Sequence, residues 1–162
     1  MKRLFYTTPL RIAVILFAAA TLAMTACTGN KVYDQYEHTP LAGWEKNDTL
    51  TFDVAKAAEA GTYASSLMLR INESFPFMSL TLIVEQQILP SHDITTDTLH
   101  CSLIDSGGNF NGQGISYHQY RFPITTMPLA AGDSLHISVR HDMKREILPG
   151  ISDVGIMISK EK

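Results

Sequence analysis

Two cysteines in 162 residues allow at most one disulfide, so no covalent framework can hold this chain together. Long hydrophobic runs are equally scarce. The longest, Ile12 to Met24, is roughly half to two-thirds of the 20 or so residues a bilayer-spanning helix needs, which argues against a permanent transmembrane anchor. Lysine and arginine are scattered singly for the most part, and without a basic stripe to collect phosphates the chain is not expected to bind nucleic acid. There is no internal repeat, low-complexity tract or long charge run. Catalytic signatures are missing too. No Gly-x-Ser-x-Gly, His-x-His or His-x-x-x-His is present, and the glycine-rich stretch at 105–114 has neither the lysine nor the following helix of a phosphate-binding loop.

What the chain does have begins at its start. Lys2, Arg3 and Arg11 precede the apolar run, which closes on the small residues Thr25 and Ala26, the layout of a secretory signal peptide over residues 1–26. Cys27 then stands where bacterial lipoproteins carry the acylated cysteine, and the segment resembles their lipobox, with Met24 three residues before Cys27 where leucine is usual. The alternative is cleavage after Ala26 by an ordinary signal peptidase guided by Ala23 and Ala26, leaving Cys27 a free and reactive thiol. A disulfide to Cys101 is disfavoured by pattern. In Thr98-Leu99-His100-Cys101-Ser102-Leu103 the thiol shares the apolar face of a strand with Leu99 and Leu103, so Cys101 is expected as a buried hydrophobe. Cys27 is therefore the expected lipid attachment site. Residues 27–31 form a tether shorter than about 20 Å at 3.3–3.6 Å per residue. Loss of residues 1–26 removes three basic residues and no acid, which moves the formal charge from −3 to −6. Thr28 follows the cysteine where aspartate would favour inner-membrane retention, and Thr28-Gly29-Asn30-Lys31 lacks an acidic export cluster. The expected location is the periplasmic face of the outer membrane.

Residues 32–162 are expected to form a single domain, within the usual size of roughly 100–150 residues. Residues 28–47 show no sustained period, yet Tyr33, Tyr36 and Trp44 are too apolar for a free linker and are expected to cover an edge or end of the domain. From Thr49 onward, two-residue alternation marks seven strands, at 49–54, 66–71, 78–85, 98–105, 117–124, 134–140 and 153–159. Turn residues separate them at 72–74, 90–92, 106–108 and 131–133. The class is all-β, an antiparallel β-sandwich of jelly-roll type with about seven to eight strands. Ala55 to Gly61 has helix-favouring residues and a capping glycine, which predicts one helical turn. Leu148-Pro149-Gly150-Ile151 predicts a tight turn, and Gly155 within the last strand a bulge or a close backbone approach.

Three stretches, Val32–Tyr36, Gly43–Asp48 and above all His141–Ile156, resemble the gliding-motility lipoprotein family GldH. In that family the ending reads as a basic Met-Arg segment, Leu-x-Gly-Ile and Asp-Val-Gly before a final strand; here Met143-Lys144-Arg145, Leu148-Pro149-Gly150-Ile151 and Asp153-Val154-Gly155 stand in those places. The resemblance implies a non-enzymatic, membrane-tethered component of surface gliding, linked to type IX secretion, with other envelope proteins as partners and no cofactor.

His136 and His141, five apart, fall on opposite faces of one strand and do not form a metal pair with each other or with His100 and His118. The 105–114 loop offers one carboxylate, Asp105, too few for a calcium loop. Asp105, Ser116 and His118 have no spacing that assembles a nucleophilic triad. A carbohydrate-binding jelly roll is the rival reading, and it requires Trp44 and Tyr117 on one exposed platform. In 117–124, Tyr120, Phe122 and Ile124 are expected in the core, with Tyr117 and Arg121 outside. Contact surfaces are expected at Tyr33, Tyr36 and Trp44 and along the loop from Gly107 to Tyr117, including Asn109, because loops on a rigid scaffold carry binding.

Overall fold

A computed structural model describes residues 30–162; the expected signal peptide and Cys27 lie outside the described residues. The strands are β1 (Lys31–His38), β2 (Trp44–Glu45), β3 (Leu50–Val54), β4 (Gly61–Ile71), β5 (Ser79–Leu89), β6 (Asp93–Ser102), β7 (His118–Leu129), β8 (Ser134–His141), β9 (Ile147–Leu148) and β10 (Ile151–Lys160). They form two four-stranded sheets, ordered β1-β10-β4-β7 and β3-β8-β5-β6, and a small β2-β9 ribbon. Every pairing is antiparallel. Only β5 and β6 are both consecutive and neighbours in one sheet; the rest of the chain passes between layers, as in a jelly roll.

All seven expected strands are present, several of them longer than the alternation suggested. β1, β2 and β9 are additional. β1 escapes a two-residue pattern because it is an edge strand on which only Tyr33 and Tyr36 are half-buried. Lys31, assigned by sequence to the tether, is already its first residue. The helical turn expected at 55–61 does not form, since both backbone groups of Ala57 bond to the turn after β7, its N–H to the Asp133 carbonyl at 2.7 Å and its carbonyl to the Gly132 N–H at 2.8 Å. A helix would have used these groups internally, and the competing tertiary bonds win over a weak propensity.

Alternation fixes which face is inside. On β4 the odd positions Tyr63, Leu67, Leu69 and Ile71 are buried, and they meet Phe52, Leu82, Val84, Ile137 and Val139 of the other sheet within one apolar cluster. Each such side chain contributes about 1.5–3 kcal/mol. Along β7 the inward parity switches from Tyr120 to Met127 and Leu129, because the register shifts between Ala64 and Ser66. At that shift Ser65 Oγ donates to the Thr125 carbonyl at 3.1 Å. Pro123 and Pro128 are accommodated because β7 is an edge strand. Cys101 is 1% exposed, as its face predicted, and burial pushes its thiol up to about 12, which leaves it without thiolate reactivity.

Connections divide by length between the two ends of the sandwich. At the end where β1 begins, the connections are 55–60, 90–92 and 130–133; at the other lie 39–49, 72–78, 103–117 and 142–150. The predicted turn at 148–151 belongs to the second group and positions Gly150, φ +81°, directly against the backbone of Phe75.

Candidate functional site

Inward packing of the odd β4 positions leaves Ser66, Met68 and Arg70 on the outer face of the β1-β10-β4-β7 sheet. The register aligns two rows there. One runs Tyr36, Gly155, Met68, Arg121 and the next His38, Asp153, Arg70, Gln119. Gly155 has no side chain, and the Tyr36 ring lies across it; a Cβ at 155 would sit 2.7 Å from Tyr36 Cδ1 and 2.8 Å from the Gln35 carbonyl. This is the close backbone approach that the sequence suggested for Gly155.

Polar contacts hold Tyr36 in that position. The Arg70 guanidinium stacks 4.0 Å from its ring centroid, and Gln119 Nε2 donates to its hydroxyl at 2.9 Å. Burial raises the Tyr36 phenol, with Arg70 opposing, so the hydroxyl stays protonated. Asp153, with 10% of its side chain exposed, lies 2.5 Å from His38 Nδ1 and 4.0 Å from Arg70 Nη1, and it accepts from Ser152 Oγ at 2.7 Å. The His38 contact is close but off the hydrogen-bond line, for Asp153 Oδ1 has no hydrogen-bond partner among the described residues. Arg121 reaches Met157 Sδ.

Two open clefts flank Arg70. One of about 830 Å³ lies over the outer face between Tyr36, Arg121 and the loop residues Asn111 and Gln113. Gln113 bonds to Gln119 in both directions, extending the sheet past β7. The second, about 650 Å³, lies at the long-loop end among Pro40, Leu41, Tyr117, Gly150 and Asp153. Of its lining residues Leu41 is fully exposed and Tyr117 is 53% exposed, and Ile115, on the 103–117 connection at the same end, is almost fully exposed. The arrangement is a broad polar and aromatic surface with apolar points at its end.

The residues singled out by sequence separate. Tyr36 lines the first cleft and Tyr117 the second. Tyr33, three residues from Tyr36, turns to the opposite side of β1 and packs against the core. Trp44 corrects the expectation of an exposed aromatic cluster: it is 0% exposed, enclosed with Leu148 and His141 at the long-loop end. No Trp44–Tyr117 platform exists, so the carbohydrate reading loses the feature it required. Asn109 folds back on Asp105 instead of facing a cleft, its backbone N–H donating to Asp105 Oδ1 at 2.9 Å. The N–H of Gly107 joins it at 2.8 Å. These bonds from Asn109 and Gly107 hold the Asp105 carboxyl below its ordinary range and commit the loop's one carboxylate to its own backbone. Sequence reasoning missed Arg70, Gln119 and Asp153, which lie on three different strands; alternation alone marked them as outward, and only the register makes them neighbours.

Among the described residues no three His, Cys, Asp or Glu side chains come together as a metal group. His136 lies on the outward face and pairs with Asp53 at 2.6 Å. His141, on the opposite parity, is 0% exposed. Its Nε2 donates to the Trp44 carbonyl at 3.2 Å and its Nδ1 accepts from the Met143 N–H at 3.5 Å, which requires the neutral ring. Burial lowers its pKa. The unfolded chain therefore binds this proton more readily than the fold, and stability should decline as pH falls below the ordinary histidine value of about 6.5. The unfolding free energy measured between pH 7 and 5 should drop by up to about 1.4 kcal/mol per pH unit. The decline should be shallower in His141→Gln; an identical slope in the variant would assign the effect elsewhere.

The sequence model of the GldH lipoprotein family matches residues 31–158. The gliding motility lipoprotein GldH of Flavobacterium johnsoniae is 30% identical over 91% of this chain and 95% of its own. A GldH homolog of Christiangramia forsetii is 23% identical with the same coverages. Among solved structures, the CBM6cm-2 carbohydrate-binding module of Cellvibrio mixtus lichenase 5A, in complex with cellotriose, has a TM-score of 0.39 at 13% identity, covering 82% of this chain and 90% of that one. A family 35 carbohydrate-binding module from Clostridium thermocellum has a TM-score of 0.38 at 9%, covering 80% and 92%. At these scores the likeness concerns the layered β architecture alone.

Proposed function

Because this chain belongs to the GldH lipoprotein family, we propose that it is a lipid-anchored envelope component of the gliding-motility machinery, linked to type IX secretion, that docks other envelope proteins without catalysing a reaction. Acylated Cys27 holds the protein at the periplasmic face of the outer membrane. The observation that carries the docking role is the division of loops. Four long connections, with Leu41, Ile115 and Tyr117 exposed among them, gather at the end opposite Lys31, so the tether leads into the short-turn end and the irregular surface is free for partners. Tyr36 and Arg70 extend that surface along the sheet.

Complementation of a deletion strain tests this reading. The wild-type gene should restore surface spreading and secretion. Cys27→Ser should leave a folded protein in the soluble fraction with spreading lost, since one anchor is replaced by none. The double variant Leu41→Asp/Tyr117→Ala should stay anchored and folded yet fail to restore spreading. Normal spreading and secretion in the deletion strain itself would reject the role.

A further inference from the structure

The short-turn end of the sandwich contains an apolar crevice of about 260 Å³, walled by Val32, Val54, Ala57, Leu129, Leu135 and Ile158. One side of it is formed by the irregular segment 55–60 that follows β3. That segment is pinned to the turn after β7 through Ala57, and it presents the small side chains of Ala55, Ala57 and Ala58 to the opening. The polar side chains of Tyr63 and Asp133 on the wall are engaged with nearby backbone. Tyr63 Oη donates to the Glu59 carbonyl at 2.7 Å, Asp133 Oδ2 accepts from the Ala130 N–H at 2.8 Å, and the Ala57 N–H donates to the Asp133 carbonyl. Apart from the exposed Lys56, no side chain lining the crevice is left to recognise a polar ligand. Its volume equals about eight or nine times the roughly 30 Å³ share of a water in the liquid; a methylene is of similar size, so a stretch of alkyl chain fits.

Two further features identify the occupant. Lys56 lines the crevice and is exposed, with no acidic partner within ion-pair distance among the described residues, which suits the phosphate of a headgroup beside a buried chain. Val32, 55% exposed, follows directly on Lys31, and four residue steps from Cys27 span at most about 14 Å. A bilayer that receives a lipid on Cys27 is therefore within reach of this end.

We propose that the crevice is a binding site for one acyl chain of a membrane phospholipid, drawn out of the bilayer so that the short-turn end of the sandwich seats on the membrane. The placement rests on the lipid-anchored reading; the affinity of the crevice for an alkyl chain does not. The test uses methyl NMR on the acylated protein in phosphatidylethanolamine nanodiscs carrying a doxyl-stearoyl phospholipid. Methyl signals of Leu129, Leu135 and Ile158 should broaden while Leu148, at the long-loop end, stays sharp. In a second arm the mature Cys27→Ser protein is titrated with free doxyl-stearate, and the same three residues should respond. Ala57→Phe and, separately, Ala58→Trp fill the opening and should weaken stearate binding at least tenfold with the fold intact by circular dichroism. No selective broadening in the stearate arm overturns the site. Broadening by stearate but not by the labelled phospholipid overturns the phospholipid as its source and assigns the crevice to the protein's own lipid. Failure of the spreading tests alone would leave both arms unaffected, so the two readings fail separately.

Discussion

Trp44→Ala is expected to destabilise the protein by about 3–5 kcal/mol, the range for truncating a fully buried large aromatic. Trp44 sits in a two-residue strand whose only ladder partner is β9, so the indole, not the backbone pairing, holds the 39–49 connection against the core. Truncation removes its whole buried surface and leaves two groups with altered partners. The Asp48 carbonyl loses the indole Nε1–H at 2.9 Å, and His141 loses its edge-to-face neighbour at 5.3 Å. Trp44 is the single tryptophan, so unfolding should be followed by far-ultraviolet circular dichroism instead of fluorescence. Trp44→Phe, which keeps a ring but not the N–H, should cost clearly less. A loss under about 1 kcal/mol for the alanine variant would show that the loop end is not packed as described.

Gly150→Ala should cost about 2–5 kcal/mol for a different reason. At φ +81° an alanine carries a conformational penalty of about 1–2 kcal/mol. In addition, the new Cβ would fall 2.2 Å from the Phe75 nitrogen, 2.7 Å from Phe75 Cα and 2.7 Å from the Ser74 carbonyl carbon, and overpacking of this kind adds about 1–3 kcal/mol. Backbone atoms cannot rotate away as the tip of a side chain can. They are held besides by the bond from the Asn72 N–H to the Gly150 carbonyl at 2.8 Å. Gly132→Ala is the matched control. Its φ is +94°, but a Cβ there meets nothing within 4 Å, so only the conformational share should appear. Equal losses at both positions would mean that the contact with Phe75 contributes nothing.

Gly150 also shows how far the sequence could be read. Leu148-Pro149-Gly150-Ile151 announces a turn, but nothing near it in sequence says that Phe75 lies against that turn. Trp44 shows the opposite failure. A lone aromatic in a stretch without periodicity looks like surface cover, and its burial depends on β9, which is some hundred residues away and too short to carry a pattern. Ala55 to Gly61 does not form the helical turn its composition suggests because helix propensity is a weak local preference, outweighed here by two bonds to the turn at 132–133.

By itself the sequence determined the all-β class, the positions of seven strands and the burial of Cys101, because a period of two is a local property that a strand shows alone; it did not give the switch of inward parity along β7, which comes from the register shift against β4. The leader-like segment and Cys27 are likewise read from local chemistry. Tertiary structure decided what the register and the ends bring together: Tyr36 over Gly155 beneath Arg70, Tyr33 turned away from Tyr36, Trp44 enclosed, and an apolar crevice beside the irregular segment 55–60. Each of these depends on pairings between residues far apart in the chain, and no periodicity within a strand encodes which strand will lie beside it.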